Sequence, residues 1–183
     1  MTTQTQTRTS TWTIDPTHSI AEFAVKHLVV TTVKGRFRDL EATLNIDEDN
    51  PENSSVTASI DVASIDTNVP DRDAHLRSDD FFNAEQYPKI TFASTRVEKA
   101  GRSDYKVHGV LTIRDVSRPV VLNTEFEGEI DDPWGNRRAA FTATTQISRK
   151  EFGVKWNQLV EAGGAVVSDN IKITLHLETV RQA

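Results

Sequence analysis

Trp12-Thr13-Ile14-Asp15-Pro16-Thr17-His18-Ser19-Ile20-Ala21-Glu22-Phe23-Ala24-Val25-Lys26-His27 is the stretch whose reading decides the fold. Asp15-Pro16 initiates a turn. Proline fixes φ and turns its predecessor away from helix, and the short side chains of Asp15, Thr17 and Ser19 can reach nearby backbone amides. From Ile20 the side chains alternate. Ala21, Phe23, Val25, His27 and Val29 share one face, while Glu22, Ala24 and Lys26 share the other. This is the period of two expected of a strand with one side against an apolar interior. Thr31 to Phe37 continues extended, with Gly35 read as a bulge or bend that curves the sheet.

The same alternation recurs along the chain. It is carried by Ala42, Leu44 and Ile46, then by Val56, Ala58, Ile60 and Val62, then by Ile90 and Phe92. Two hairpins follow: Tyr105 to Ile113 after the turn Gly101-Arg102-Ser103-Asp104, and Ala139 to Ile147 after Asp131-Asp132-Pro133-Trp134-Gly135-Asn136. Gly163-Gly164 marks a further bend, and Ile171, Ile173, Leu175 and Leu177 make the last strand. Arg72 to Ala84 lacks the period of two and suits a short amphipathic helix or two; Ser148 to Trp156 has room for a helical turn. About eight strands separated by turn signals form an all-β barrel or sandwich. The domain is expected over residues 12–183, with residues 1–11 as a disordered tail of Thr, Gln and Ser.

Composition narrows the function. The chain has 183 residues, 37% hydrophobic and 26% charged, enough for one domain with a sizeable core. Its formal charge is −6 and its basic residues are scattered, so no broad footprint for nucleic acid is expected. The absence of cysteine removes disulfides, thiolate metal sites and thiol nucleophiles. No apolar run approaches the ~20 residues of a membrane-spanning helix, and the N-terminus lacks an apolar stretch of about 7–15 residues such as export signals carry. The expectation is therefore a cytoplasmic protein.

Five further blocks stand in order with the opening stretch: Gly35-Arg36-Phe37, Arg72-Asp73-Ala74-His75-Leu76, Phe81-Phe82, Tyr87-Pro88-Lys89-Ile90-Thr91-Phe92 and Gly109-Val110-Leu111-Thr112-Ile113. Together they resemble the YceI-like family of lipid-binding proteins from about Trp12 to Glu178. Asp115, in Ile113-Arg114-Asp115-Val116, departs from the glycine more usual there. The resemblance implies a lipocalin-like antiparallel barrel enclosing a long isoprenoid chain, with homodimerisation as a family-level expectation. On pattern alone a filled barrel is favoured, because an eight-stranded barrel can be packed by its own side chains or hold one ligand. The resemblance points to the tunnel. Burying a C40 chain from water at ~0.8 kcal/mol per CH2 would give roughly 30 kcal/mol, beyond the limit near 20 for non-covalent binding. Exchange with a membrane, whose interior is as apolar as the tunnel, is nearly balanced, so a carrier or store of an isoprenoid quinone or polyprenyl (pyro)phosphate, with transient membrane contact, is expected.

Phe23, Val25, Val107, Leu111, Phe126, Phe141 and Leu175 are the expected apolar lining. His27, on the face of Phe23 and Val25, reads as a satisfied buried polar group or as a polar contact to the lipid. Arg72 and His75 are candidate head-group ligands; a salt bridge fixing the insertion is the equal alternative for Arg72. Lys34, Arg36 and Arg38 alternate on what reads as a solvent face, and Arg149-Lys150-Glu151-Phe152-Gly153 as the closure of one barrel end. Trp12, Trp134 and Trp156 read as end plugs or surface packing. His18 and His27 stand nine apart with no carboxylate at ligand spacing, so neither metal nor cofactor is expected. No nucleophile elbow, phosphate-cradling glycine loop or H-E-x-x-H motif is present, so no catalysis is expected. Two alternatives stand beside the lipid reading: a protein-interaction scaffold on a filled barrel, and a small enzyme acting on a bound lipid.

Overall fold

The structure, a computed structural model, describes residues 7–158 and 166–183; the bend expected at Gly163-Gly164 lies outside them. Asp15-Pro16 separates two strands, β1 (Thr9–Ile14) and β2 (Ile20–His27). The strands that follow are β3 (Thr31–Phe37), β4 (Leu40–Asp47), β5 (Ser55–Asp61) and the short β6 (Ile65–Asp66). After the helix α1 (Pro70–Arg77) come β7 (Lys89–Lys99), β8 (Asp104–Ile113), β9 (Val116–Asp131), β10 (Arg137–Ser148) and β11 (Val167–Arg181). In the order β1-β4-β5-β7-β8-β9-β10-β11 they form an antiparallel barrel, which β11 closes by pairing back onto β1. The all-β barrel of about eight strands with one helix is therefore the fold.

β1 and β2 lie end to end along one edge of β11 and are in effect one broken strand. Ile14 stands opposite Thr179 and Ile20 opposite His176, so five residues of the turn face two of β11. The odd number of extra residues changes the inward parity from Ser10 and Trp12 to Ala21, Phe23 and Val25. It also lets β1 pair with β4 while β2 pairs with β3. The turn is built as its composition suggests: the Asp15 carboxylate accepts from the Thr17 amide and hydroxyl, and the Ser19 hydroxyl bonds both the amide and the carbonyl of Glu178. Arg138 then ties three segments together, donating to Asp15 (2.8 Å), Asp132 (2.6 Å) and Glu178 (2.7 Å).

The structure corrects four local expectations. Thr9 to Thr11 pair with Asp47 to Asn45 of β4, so the tail does not extend to residue 11. β2 and β3 are not one extended run but a hairpin, turning at Leu28-Val29-Val30 without any of the usual turn residues. Leu28 (φ 50°) and Val29 (φ 65°) are both left-handed, a conformation costing about 1–2 kcal/mol per residue and rarer still for a β-branched side chain. Gly35 makes no bulge: the β2–β3 register is continuous, and a Cβ there would overlap the Phe23 ring, just as one at Gly109 would overlap Phe92. Finally, the helix spans only Pro70–Arg77, and turns carry the chain to β7.

Between Ile113 and Val116 the left-handed residue is Arg114 (φ 56°), not Asp115. The strained arginine donates to the carbonyls of Asp79 and Phe81 and lies 5.7 Å from the Tyr87 ring centre, which pins the post-helix segment to the barrel.

Bonds from Thr17 and Arg138 hold the Asp15 carboxyl well below the usual carboxylate range, and Arg138 does the same for Asp132. Carboxyls depressed in the folded state contribute stability above their unfolded pKa and lose it as pH falls, so urea midpoints should drop below about pH 4. Arg138→Gln should lower the neutral-pH midpoint and flatten that acid slope. Val29→Asn, which suits the left-handed turn, should leave the melting temperature unchanged or raise stability by up to about 1 kcal/mol.

Candidate functional site

The inward faces of the barrel enclose a cavity of about 700 Å³, within the range of small-molecule sites. Its wall is overwhelmingly apolar. Large side chains such as Phe37, Phe92, Leu122 and Ile173 share it with Ala21, Ala42, Ala58, Ala139 and Ala143, and these alanines leave the interior unfilled. Its lining draws on two apolar clusters. One, around Phe37, Ile65, Phe81, Ile147 and Phe152, lies beneath α1 and the post-helix segment; the other, around Trp12, Ala42, Leu44 and Ala139, lies toward the opposite end. Phe126 and Phe141, cross-strand partners with ring centres 5.5 Å apart, stand at the second.

Phe23, Val25, Val107, Leu111, Phe126, Phe141 and Leu175 all stand on this wall. His27 does not. It keeps the inward phase of Phe23 and Val25, but it is the last residue of β2 and pairs with Thr31 and Val167 at the base of the hairpin turn. Arg72 and His75 are off the wall as well. Arg72 donates to the hydroxyl and carbonyl of Thr67, so its partner is a threonine and not an acid. His75 lies 2.7 Å from Asp80 and edge-on to Phe81 and Trp156, holding α1 to the segments that cover the barrel end. Leu76, Phe81 and Phe82 are the residues this region sends into the cavity. The family block around α1 thus has a positioning role.

Charged groups reach the wall mainly at the end formed by the β4–β5 and β9–β10 connections. Arg181 pairs with Glu48 at 2.9 Å, and Arg137 with Glu129 at 2.6 Å and Asp131 at 3.0 Å. Asp47 organises the β4–β5 loop by accepting from the amides of Asp49 and Asn50 and from Asn53. At the opposite end stands Arg149, a wall residue that strand periodicity does not single out. Its guanidinium is buried and donates to the carbonyls of Val154, Trp156, Val167 and Ser168. Burial pulls its pKa below the usual arginine value, against the opposing pull of Asp169. These four bonds close the barrel end, as expected of the Arg149–Gly153 block, and commit the arginine to backbone. Arg149→Leu should lower unfolding free energy by about 3 kcal/mol or more in urea titration, because buried carbonyls lose their donors.

No carboxylate at ligand spacing is expected for His18, but Asp15, three residues before it, and Glu178, brought there by β11, gather round it with ligand atoms all within 4.8 Å of one another. Arg138 Nη1 already bridges those two carboxylates, so their charge is compensated by protein. Trp12 is buried and bonds Ser10, Trp156 packs on Phe81, and Trp134 is exposed at the β9–β10 turn.

The family model described as the YceI-like domain matches residues 12–179. Protein YceI of Escherichia coli O17:K52:H18 is 39% identical over 165 residues, covering 90% of this chain and 83% of its own. The crystal structure of Burkholderia cenocepacia BcnA superposes with a TM-score of 0.79 at 25% identity, over 90% of this chain and 98% of that one. A polyisoprenoid binding domain from Saccharophagus degradans, implicated in plant cell wall breakdown, shares the fold with a TM-score of 0.68 at 17% identity, over 93% and 98% of the two chains. The chain belongs to the YceI-like domain family.

Proposed function

We propose that this member of the YceI-like family binds a long-chain isoprenoid lipid inside its barrel and acts as its carrier or store. The observation that carries the reading is the apolar cavity of about 700 Å³, which a filled scaffold barrel would not contain. The description of the Saccharophagus degradans neighbour as a polyisoprenoid binding domain supports the ligand class. An isoprenoid quinone and a polyprenyl pyrophosphate are the two classes we favour, since each joins a long apolar chain to a polar head. The head belongs at an end of the cavity, because burial without partners opposes placing it in the middle.

Binding without turnover fits the wall better than catalysis. Among the described residues no histidine stands on it, so hydroxyls such as Thr91, Thr124 and Thr145 have no wall imidazole as a base. Besides Tyr105, the ionisable wall groups are carboxylates and arginines, most of them paired with one another or bonded to backbone.

Mass spectrometry of the native protein followed by solvent extraction tests the reading directly. A stoichiometric isoprenoid is the expected result; a chain that carries no lipid and takes up neither supplied polyprenols nor quinones overturns it. Ala143→Phe, which adds a ring to the cavity wall, should keep the circular dichroism of the parent and reduce lipid uptake roughly tenfold or more.

A further inference from the structure

The β2–β3 turn presents three consecutive apolar residues to solvent: Leu28 is 43% exposed, Val29 75% and Val30 79%. An isolated exposed valine needs no explanation, but a contiguous apolar tip marks an interaction site. The tip also contradicts local preference. A three-residue hairpin turn with two left-handed positions favours glycine or asparagine, and this one holds Leu28 and Val29 instead. Apolar identity is thus maintained against both solvation and backbone strain, which directs attention to what the side chains contact.

The outer face behind the tip supplies the second observation. Ala24 of β2 stands directly opposite Lys34 of β3 on one side and Lys172 of β11 on the other, so the two lysines flank it in one row across three strands. Lys26, one step nearer the tip, shares this face and donates to Thr32. All three lysines are exposed, and none has a carboxylate partner among the described residues. Glu22 is the acidic residue one row further back, opposite Arg36; Arg36 and Arg38 meet Asp66. A chain of net charge −6 therefore carries a local basic row immediately behind an apolar tip.

We propose that the Leu28-Val29-Val30 tip is a membrane-docking element that inserts into the interface of an anionic lipid bilayer, with Lys26, Lys34 and Lys172 held against the headgroups. Apolar side chains entering the acyl boundary and lysines drawn to anionic lipid are the two contributions that make a peripheral contact, each lysine adding roughly fivefold to binding. The contact is weak and reversible, which suits a carrier that must leave the membrane again. It also brings the lipid source to the cavity. Val25 and Val167 stand on the wall, and Val167 pairs with His27, the residue immediately before the tip. The inference rests on the lipid-binding reading for its purpose, while docking itself is tested separately.

Co-sedimentation with phosphatidylcholine vesicles, with and without phosphatidylglycerol, reads out the docking. The full chain should pellet with the anionic vesicles and be released by salt. The double variant V29N/V30N, whose asparagines suit the turn, should lose roughly tenfold or more of that binding, and K26Q/K34Q should abolish the preference for phosphatidylglycerol. Uptake of detergent-solubilised polyprenol should be unchanged in V29N/V30N, which separates loss of docking from loss of the cavity. Equal pelleting of parent and V29N/V30N overturns the proposal, as does a parent that pellets with neither vesicle. A V29N/V30N variant that alters only the oligomeric state in sedimentation velocity also overturns it, assigning the tip to a second copy of the chain. If anionic vesicles bind but no lipid enters the barrel, the docking element stands and the carrier reading fails.

Discussion

The barrel depends on the break between β1 and β2. Two short strands occupy the edge of β11 that one long strand would otherwise cover, and the five-residue turn from Asp15 to Ser19 shifts their inward parity. Without that shift, Trp12 and Phe23 could not both face the interior. Ser19 holds the turn to β11 through both backbone groups of Glu178, and Arg138 links its Asp15 to the β9–β10 turn through Asp132. One guanidinium among three carboxylates thus locks the place where β1 must turn to β4 and β2 to β3. The consequence is a barrel closed by β1, with β2 paired along the rest of the β11 edge and carrying β3 as its hairpin partner.

The interior follows from how small and large residues are distributed. At two strand glycines an aromatic ring from the neighbouring strand lies where a Cβ would go, Phe23 over Gly35 and Phe92 over Gly109, so glycine there denotes packing and not empty volume. The alanines act differently. Ala42, Ala58, Ala139 and Ala143 line the wall of the cavity, whose lining draws on both apolar clusters. Large-to-small changes in a packed core ordinarily cost several kcal/mol, so a chain that keeps such a volume is bearing a stability cost that a bound apolar chain would offset.

Polar groups are largely kept from the apolar middle by giving them partners elsewhere. Arg149 is committed to four carbonyls at one end, Arg181 and Arg137 to carboxylates at the other, and Arg72 to Thr67 outside the wall. The exposed row of Lys26, Lys34 and Lys172 contrasts with these arginines, since it is left to face solvent on an otherwise acidic molecule.

Much of this was readable in advance because strand periodicity is a local property. Alternation at Ala21–Val25, Tyr105–Ile113, Ala139–Ile147 and Ile171–Leu177 identified the strands and placed Phe23, Val107, Leu111, Phe141 and Leu175 on the inward face, since side chains two apart must share a face. The family blocks identified the architecture. What periodicity could not convey was where a strand stops lining the cavity: His27 continues the phase of Val25 but lies past the last wall residue of β2, and the turn at Leu28-Val29-Val30 has no turn residues to announce it. Nor could it show that Arg72 and His75 bond Thr67 and Asp80, each five residues away, because those bonds depend on how the chain turns into and out of α1, or that Arg138 and Glu178 meet Asp15 and His18, because those contacts join segments far apart in the chain. The sequence by itself determined the strands, their inward faces and the family. Only the tertiary structure decided the cavity, the closed ends and the exposed tip, because volume, burial and ion pairing depend on which strands become neighbours, and local alternation is silent about that.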